Sequence, residues 1–134
     1  VQGVESFQVL YGVDNVVANT APTGTTDSVP DRYLRADQLT VTGDQEATYD
    51  NWRRVRSLRI GLVLRSQPGS AIDTTTQTLY PLGTSADSAT GTTGSAFGSS
   101  GDVGAVYTAP ADRRLRQVVT FTVHLRNFQD QGPN

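Results

Sequence analysis

Three residue types are missing from the sequence: cysteine, methionine and lysine, so all 11 basic residues are arginine. The absence of cysteine excludes disulfide bonds, thiol catalysis and thiolate metal ligands together. The absence of methionine leaves the chain without a translation start. The sequence is therefore expected to be a processed or truncated product.

Long apolar runs and a strong charge imbalance are also missing. No segment approaches the ~20 apolar residues that cross a bilayer, and none resembles a basic leader followed by an apolar stretch. The formal net charge of -2 argues against a domain that binds polyanions generally. With 134 residues, 36% of them hydrophobic, the chain is expected to form one domain with a modest core.

Four segments alternate apolar and polar residues with a period of two, which is the pattern of strands with one buried face. Residues 55–65 give the clearest example, and residues 115–127 and 5–11 follow the same pattern. Residues 75–80 show it more weakly, before Pro81. The side chains expected to share one face of a strand are Leu58, Ile60, Leu62 and Leu64 in one segment, and Phe7, Val9 and Tyr11 in another.

Helical patterns are short, and two connections are long. Asp50 is placed to cap a turn over residues 51–54, and Asp37 a turn around Gln38 and Leu39. Residues 15–30 and 83–104 are polar loops, and the second buries too little apolar surface to offset its ordering entropy. The sequence therefore predicts mainly an antiparallel β-sheet with one or two short helical turns.

No set of residues in the sequence is typical of catalysis. The single histidine, His124, lies on the polar face of the last predicted strand, and no Gly-x-Ser-x-Gly elbow surrounds any serine. The glycines of residues 83–104 do not open a helix, as a phosphate-binding loop must. We therefore predict no catalytic residues, no bound cofactor and no small-molecule substrate, with His124 exposed or paired across strands.

Three carboxylates in or beside the first loop are weak candidates for calcium ligands: Asp14, Asp27 and Asp31. Carboxylate oxygens are the ligands that Ca²⁺ prefers. Their spacing is not that of an EF-hand, because the alternating Asp/Asn run and its closing glutamate are absent. The alternative interpretation is that these aspartates form turns.

Arginine clusters lie around the start of the second and fourth strand segments. If those strands pair, the outer face of the sheet is expected to be basic and to contact DNA or an acidic protein surface. The alternative is a solvated strand face that charge protects from aggregation. The candidate interface residues are Arg53, Arg54, Arg56 and Arg59 in the first cluster, and Arg113, Arg114 and Arg116 in the second.

Five blocks of the sequence occur in an order that resembles the C-terminal half of the PilW-family minor pilins. They are residues 4–14 (VESFQVLYGVD), 31–33 (DRY), 52–66 (WRRVRSLRIGLVLRS), 80–83 (YPLG) and 112–127 (DRRLRQVVTFTVHLRN). Two departures are visible. Residues 15–20 replace an Asp-rich stretch common in the family, which weakens the calcium interpretation, and residues 83–104 are longer than usual.

The resemblance implies an α+β pilin-like fold, with residues 1–134 as the C-terminal β-rich part of one globular domain. It implies a prepilin whose long apolar N-terminal helix, absent from this sequence, lies in the inner membrane before assembly. Its role would be that of a minor pilin, similar to the J-class pseudopilin of type II secretion, that primes a type IV pilus and ends at the fibre tip.

The same resemblance implies partners and location. The partners would be other minor pilins, a tip adhesin and the major pilin below, with membrane contact only through the N-terminal helix. The protein would reside in the inner membrane and periplasm and then in the extracellular fibre, which serves twitching motility, DNA uptake or adhesion. The competing hypothesis is a tip module that binds DNA or a surface through its arginines.

Overall fold

The computed structural model describes residues 3–71, 75–82 and 106–125. Residues 83–104, predicted as a loop, and the last two residues of the predicted strand 115–127 lie outside the described residues. The elements, in chain order, are β1 (Val4–Val13), β2 (Arg32–Leu34), a 3₁₀ helix (Ala36–Leu39), α1 (Gln45–Arg53), β3 (Val55–Arg65), β4 (Gln77–Leu79), β5 (Tyr107–Ala109) and β6 (Arg116–His124).

The described strands form a four-stranded sheet in the order β2-β1-β3-β6 and a separate two-stranded ribbon, β4-β5. All neighbouring strands are antiparallel. This confirms the predicted fold class, including the bounds of β3. The strands β2 and β5 were not predicted, because three residues are too few to show a period.

Both predicted helix starts are wrong. Asp50 lies inside α1, which begins after Asp44, and the Asp44 carboxylate accepts the Ala47 backbone N–H at 3.0 Å. Such a bond satisfies one of the free N–H groups of the first turn, which Asp50 is too far along the helix to reach. Asp37 likewise lies inside the 3₁₀ helix, where the N-cap is Arg35.

One face of the sheet carries three rows of apolar side chains. Strand register aligns Phe7 with Leu62 and Val119, Val9 with Ile60 and Phe121, and Tyr11 with Leu58 and Val123. Val4 and Leu64 extend the same face. Because paired residues of antiparallel strands point to the same side, these residues form one surface, which we name the open apolar face.

The opposite face, which we name the ribbon face, packs against the residues that follow β4. A Cβ atom placed on Gly61 would lie 2.5 Å from the Pro81 carbonyl oxygen, so the sheet and the chain at Pro81 meet at backbone distance. The Thr120 hydroxyl donates to the same oxygen at 2.6 Å. Leu82 then packs with Leu10 in a buried cluster.

The main apolar core lies at one end of the sheet, under the helices. Its buried members are Val13, Val16, Leu34, Leu39 and Val55. Tyr11 and Leu58 of the open apolar face pack against its edge. In the described part of the chain no helix has both the length and the hydrophobicity to span a membrane.

Candidate functional site

The open apolar face carries several large apolar side chains that are exposed. Phe7 is 63% exposed, Phe121 43% and Val123 39%, although all three lie within strands. The helix α1 reaches only the end of this face, where Trp52 and Tyr11 pack edge to face with ring centroids 4.9 Å apart. Among the described residues, nothing covers the rows of Phe7 and Val9.

Such a surface is unusual for a protein that acts alone. Scattered exposed apolar side chains are normal, but a contiguous apolar patch marks a binding surface for protein or lipid. The flat geometry of a sheet suits a long partner element better than a small ligand, which binds in a concave pocket. The open apolar face is therefore the candidate functional site.

A buried ion network ties the two outer strands of this face together at one end. The Arg116 guanidinium donates to both Glu5 oxygens, at 2.8 and 3.1 Å, and to both Asp112 oxygens, one of them at 2.9 Å. Tyr107 and Arg65 also donate to Glu5, at 3.0 and 3.3 Å. The side chain of Arg116 is only 2% exposed.

Each carboxylate of the network is stabilised in its charged form. The hydrogen bond from Arg116 lowers the pKa of Glu5, with smaller contributions from Tyr107 and Arg65, although burial opposes the shift. The hydrogen bond from Arg116 also lowers the pKa of Asp112, from 3.8 to about 2. Burial, and next the bond to Glu5, raise the pKa of the Tyr107 hydroxyl.

This network predicts a loss of stability in acid. Since the pKa of Asp112 is lower in the folded chain than its ordinary value of 3.8, its charged form stabilises the fold above that pH. The contribution is lost as the pH falls from 3.8 toward about 2, the pKa of the folded chain. Urea unfolding at a series of pH values is expected to show a smaller decline in this window for Asp112→Asn than for the wild type. Parallel declines would contradict the assignment.

The three candidate calcium ligands each accept hydrogen bonds from different backbone amides. An Asp14 oxygen accepts the backbone N–H groups of Asp27 and Ser28, at 3.0 and 2.8 Å. Asp31 accepts the N–H of Asn15, and Asp27 accepts that of Val29. In the described ranges no three acidic or histidine side chains are grouped closely enough to hold a metal ion. Calcium binding by these aspartates stays a hypothesis, and their formation of turns stays the alternative.

The structure does not bring the two arginine clusters together. Their strands pair, but the register aligns Arg116 with Arg65, at the end of β3 remote from Arg56. Arg56 is buried beside Asp14. The Arg54 guanidinium donates to the carbonyl oxygens of Asp14, Thr23 and Gly24.

The remaining members of the clusters differ in exposure. Arg53 and Arg113 are exposed, and Arg59 and Arg114 are partly buried. The interface predicted for these arginines stays a prediction. The single histidine, His124, is exposed and lies opposite Ser57.

A comparison with protein families shows which family this chain belongs to. The family model of the type IV pilus-assembly protein W matches residues 1–127, which span the whole sheet and its ribbon. The chain belongs to this family. Searches of curated proteins and of solved structures gave no match.

Membership of the pilus-assembly family confirms the resemblance inferred from the five sequence blocks. It gives the chain a role in type IV pilus assembly, with protein partners in the pilus system and a location in the cell envelope or pilus. Three blocks of the resemblance contribute strands to the open apolar face, namely those that contain β1, β3 and β6.

Sequence reasoning identified the residues of the open apolar face but missed the ion network. Alternation placed Phe7 and Val9 on one face correctly, as it did the leucines of β3. Glu5 was overlooked because a register shift between Val4 and Ser6 turns it out of the alternation, toward Arg116. The one indication in the sequence was the charge of Glu5 beside the alternating apolar residues of β1, where a β-bulge can redirect a side chain.

Proposed function

We propose that the chain is a structural minor pilin, which helps to prime assembly of the type IV pilus and lies at its tip. In this proposal it acts through protein interfaces and has no catalytic role. Its partners are other minor pilins, a tip adhesin and the major pilin below. It occupies the inner membrane and periplasm before assembly, and the extracellular fibre afterwards.

The observation that carries this proposal is the open apolar face. A sheet with one apolar side must cover that side, and the usual cover is a helix packed on it. The face extends along three paired antiparallel strands, and a helix can pack across such a surface. We propose that an apolar pilin helix packs on this face, and that the packed helix connects the sheet to the other subunits during assembly.

Two charges introduced on this face are expected to reduce pilus assembly strongly. In the full-length protein of a pilus-producing cell, Phe7→Glu combined with Phe121→Glu would bury unpaired carboxylates beneath the helix. We expect surface pili, measured in sheared fractions, to fall about tenfold or more, because each 1.4 kcal/mol lost at an interface is a factor of ten.

The matched control changes two valines that are also exposed but lie off this face, Val29→Glu combined with Val106→Glu. It should leave piliation unchanged. The purified 134-residue chain carrying the Phe7 and Phe121 changes should stay folded, because both side chains are already exposed. Normal piliation by the Phe7 and Phe121 variant would overturn the proposal.

A further inference from the structure

The strand β6 forms one of the two edges of the four-stranded sheet. In the order β2-β1-β3-β6, this nine-residue strand pairs with β3 on one side, and no strand in the described ranges pairs with its other side. The unpaired backbone N–H and C=O groups of such an edge can hydrogen-bond to another strand.

The hydrogen bonds at both ends of β6 show which residues face outward. Ser66 N–H donates to the Leu115 carbonyl at 2.9 Å, and Leu125 N–H donates to the Arg56 carbonyl at 3.0 Å. In an antiparallel ladder every second residue bonds to the same neighbour, so the odd-numbered residues of β6 bond to β3. The backbone groups of Val118, Thr120 and Thr122 therefore point to the outer edge.

The middle of this edge, between Arg116 and His124, lacks the features that usually prevent strand pairing. Between Arg116 and His124 there is no proline, glycine or lysine, and the register with β3 runs without a bulge. The strand is rich in β-branched residues, which favour extended backbone. In contrast, the register of β1 with β3 is interrupted twice.

Side chains along the edge specify the chemistry of a partner strand. Phe121 and Val123 are exposed on one side of the sheet and would pair with apolar residues, whereas Thr122 lies on the ribbon face. A bound strand that alternates apolar and polar residues therefore fits β6, and it would also widen the open apolar face.

The charges at the start of β6 favour an acidic partner over a second copy of this chain. Of the residues that the structure describes, Arg65, Arg113, Arg114 and Arg116 lie around this end with the two carboxylates Glu5 and Asp112, an excess of two positive charges (four minus two). Arg113 is exposed and, within the described residues, forms no ion pair. Antiparallel pairing of two β6 strands about Thr120 would place His124 of one copy beside Arg116 of the other, and β6 itself contains no acidic residue that could pair with Arg113.

We propose that the outer edge of β6 accepts an extended segment of a partner protein by strand addition. The segment alternates apolar and polar residues and carries acidic residues at the end that lies beside Arg113. The proposal rests on the proposed function only in that another protein of the pilus supplies this segment. Main-chain hydrogen bonds hold the segment, and the apolar and acidic side chains select it.

Binding of a synthetic peptide to the purified chain tests this proposal. The probe is a fluorescent peptide as long as β6 that alternates valine and threonine and ends in glutamates, and its control ends in lysines. We expect fluorescence anisotropy to show binding of the acidic peptide and binding at least about tenfold weaker for the basic one. Amide hydrogen exchange should slow at Val118, Thr120 and Thr122 when the acidic peptide binds.

Two variants separate the edge from other surfaces. Thr122→Pro removes an outward N–H without removing a bond to β3, and should weaken binding about tenfold, whereas Thr122→Val keeps the N–H and should bind normally. Arg113→Glu leaves the strand itself unchanged and, because it balances the positive and negative charges counted around this end, should abolish the preference for the acidic peptide.

Several results would overturn the proposal. One is no binding of the acidic peptide, and another is equal binding by Thr122→Pro. A third is protection of the three outward amides without peptide, which would mean that the chain covers its own edge or pairs with a second copy. If the acidic peptide does not bind but the Phe7 and Phe121 variant loses its pili, only the proposal of strand addition is overturned and the proposed function stands. Binding of the acidic peptide together with normal piliation in that variant would support strand addition at β6 and overturn the proposed function.

Discussion

Replacement of Arg116 with methionine is expected to lower the free energy of unfolding by about 3 kcal/mol. Removing one partner of a buried ion pair costs about 3 to 5 kcal/mol, because the remaining charge loses its compensation. Here Glu5, whose side chain is 10% exposed, would keep donors only from Arg65 and Tyr107. These remaining bonds place the expected loss at the lower end of the range.

Urea unfolding followed by the fluorescence of Trp52 measures this loss. The matched control is Arg113→Met, which removes an exposed arginine three positions away and should change stability by no more than about 0.5 kcal/mol. Combining Arg116→Met with Glu5→Gln should cost less than the sum of the single changes, because both act on one network. An Arg116→Met loss no larger than that of Arg113→Met would contradict a stabilising role.

The strands that sequence predicted correctly are those in which local pattern and long-range pairing agree. In β3, four leucine or isoleucine residues at alternate positions can share a face only in an extended chain, whatever the neighbouring strands are. In β2 and β5 the extended conformation depends on the partner strand, as when Tyr33 pairs with Gly12. Such short strands cannot be found from their own residues.

Alternation predicts which residues share a face but not what covers that face. Phe7 and Leu10 lie on opposite sides of β1, and the sequence favoured the side of Phe7 as the buried one. The structure buries Leu10, which is 1% exposed, because Leu82 and Tyr33 pack against it on the ribbon face. The candidate site is the face that the chain's described residues leave uncovered. Which face is covered depends on the packing of residues that are distant in the sequence, so alternation within one strand does not predict it.

Long-range ion pairs were beyond prediction for the same reason. Arg56 and Arg116 each stand in an arginine-rich segment, which is typical of a solvated surface. Their partners Asp14 and Glu5 are distant in sequence and become neighbours only through strand register and a bulge. Sequence composition therefore indicated charge but not where that charge is neutralised.

Replacement of Asp14 with alanine is expected to lower the free energy of unfolding by about 3 to 5 kcal/mol. Asp14 is fully buried, and its carboxylate lies 3.6 Å from the Nε atom of Arg56, whose side chain is 5% exposed. Alanine would leave the Arg56 charge without this carboxylate. It would also remove the acceptor for the amides of Asp27 and Ser28, which hold the first loop against the sheet.

Three further variants, measured by urea unfolding in the presence of EDTA, separate these contributions. Asp14→Asn keeps an oxygen acceptor for the two amides but loses the charge, so it should fall between the wild type and Asp14→Ala. Adding Arg56→Met to Asp14→Ala should restore part of the loss, since the buried charge that has lost the Asp14 carboxylate is then removed as well. Asp27→Ala changes an exposed carboxylate of the same loop and should cost about 1 kcal/mol or less. If Asp14→Ala cost no more than Asp27→Ala, the buried pair would not be what holds this loop to the sheet.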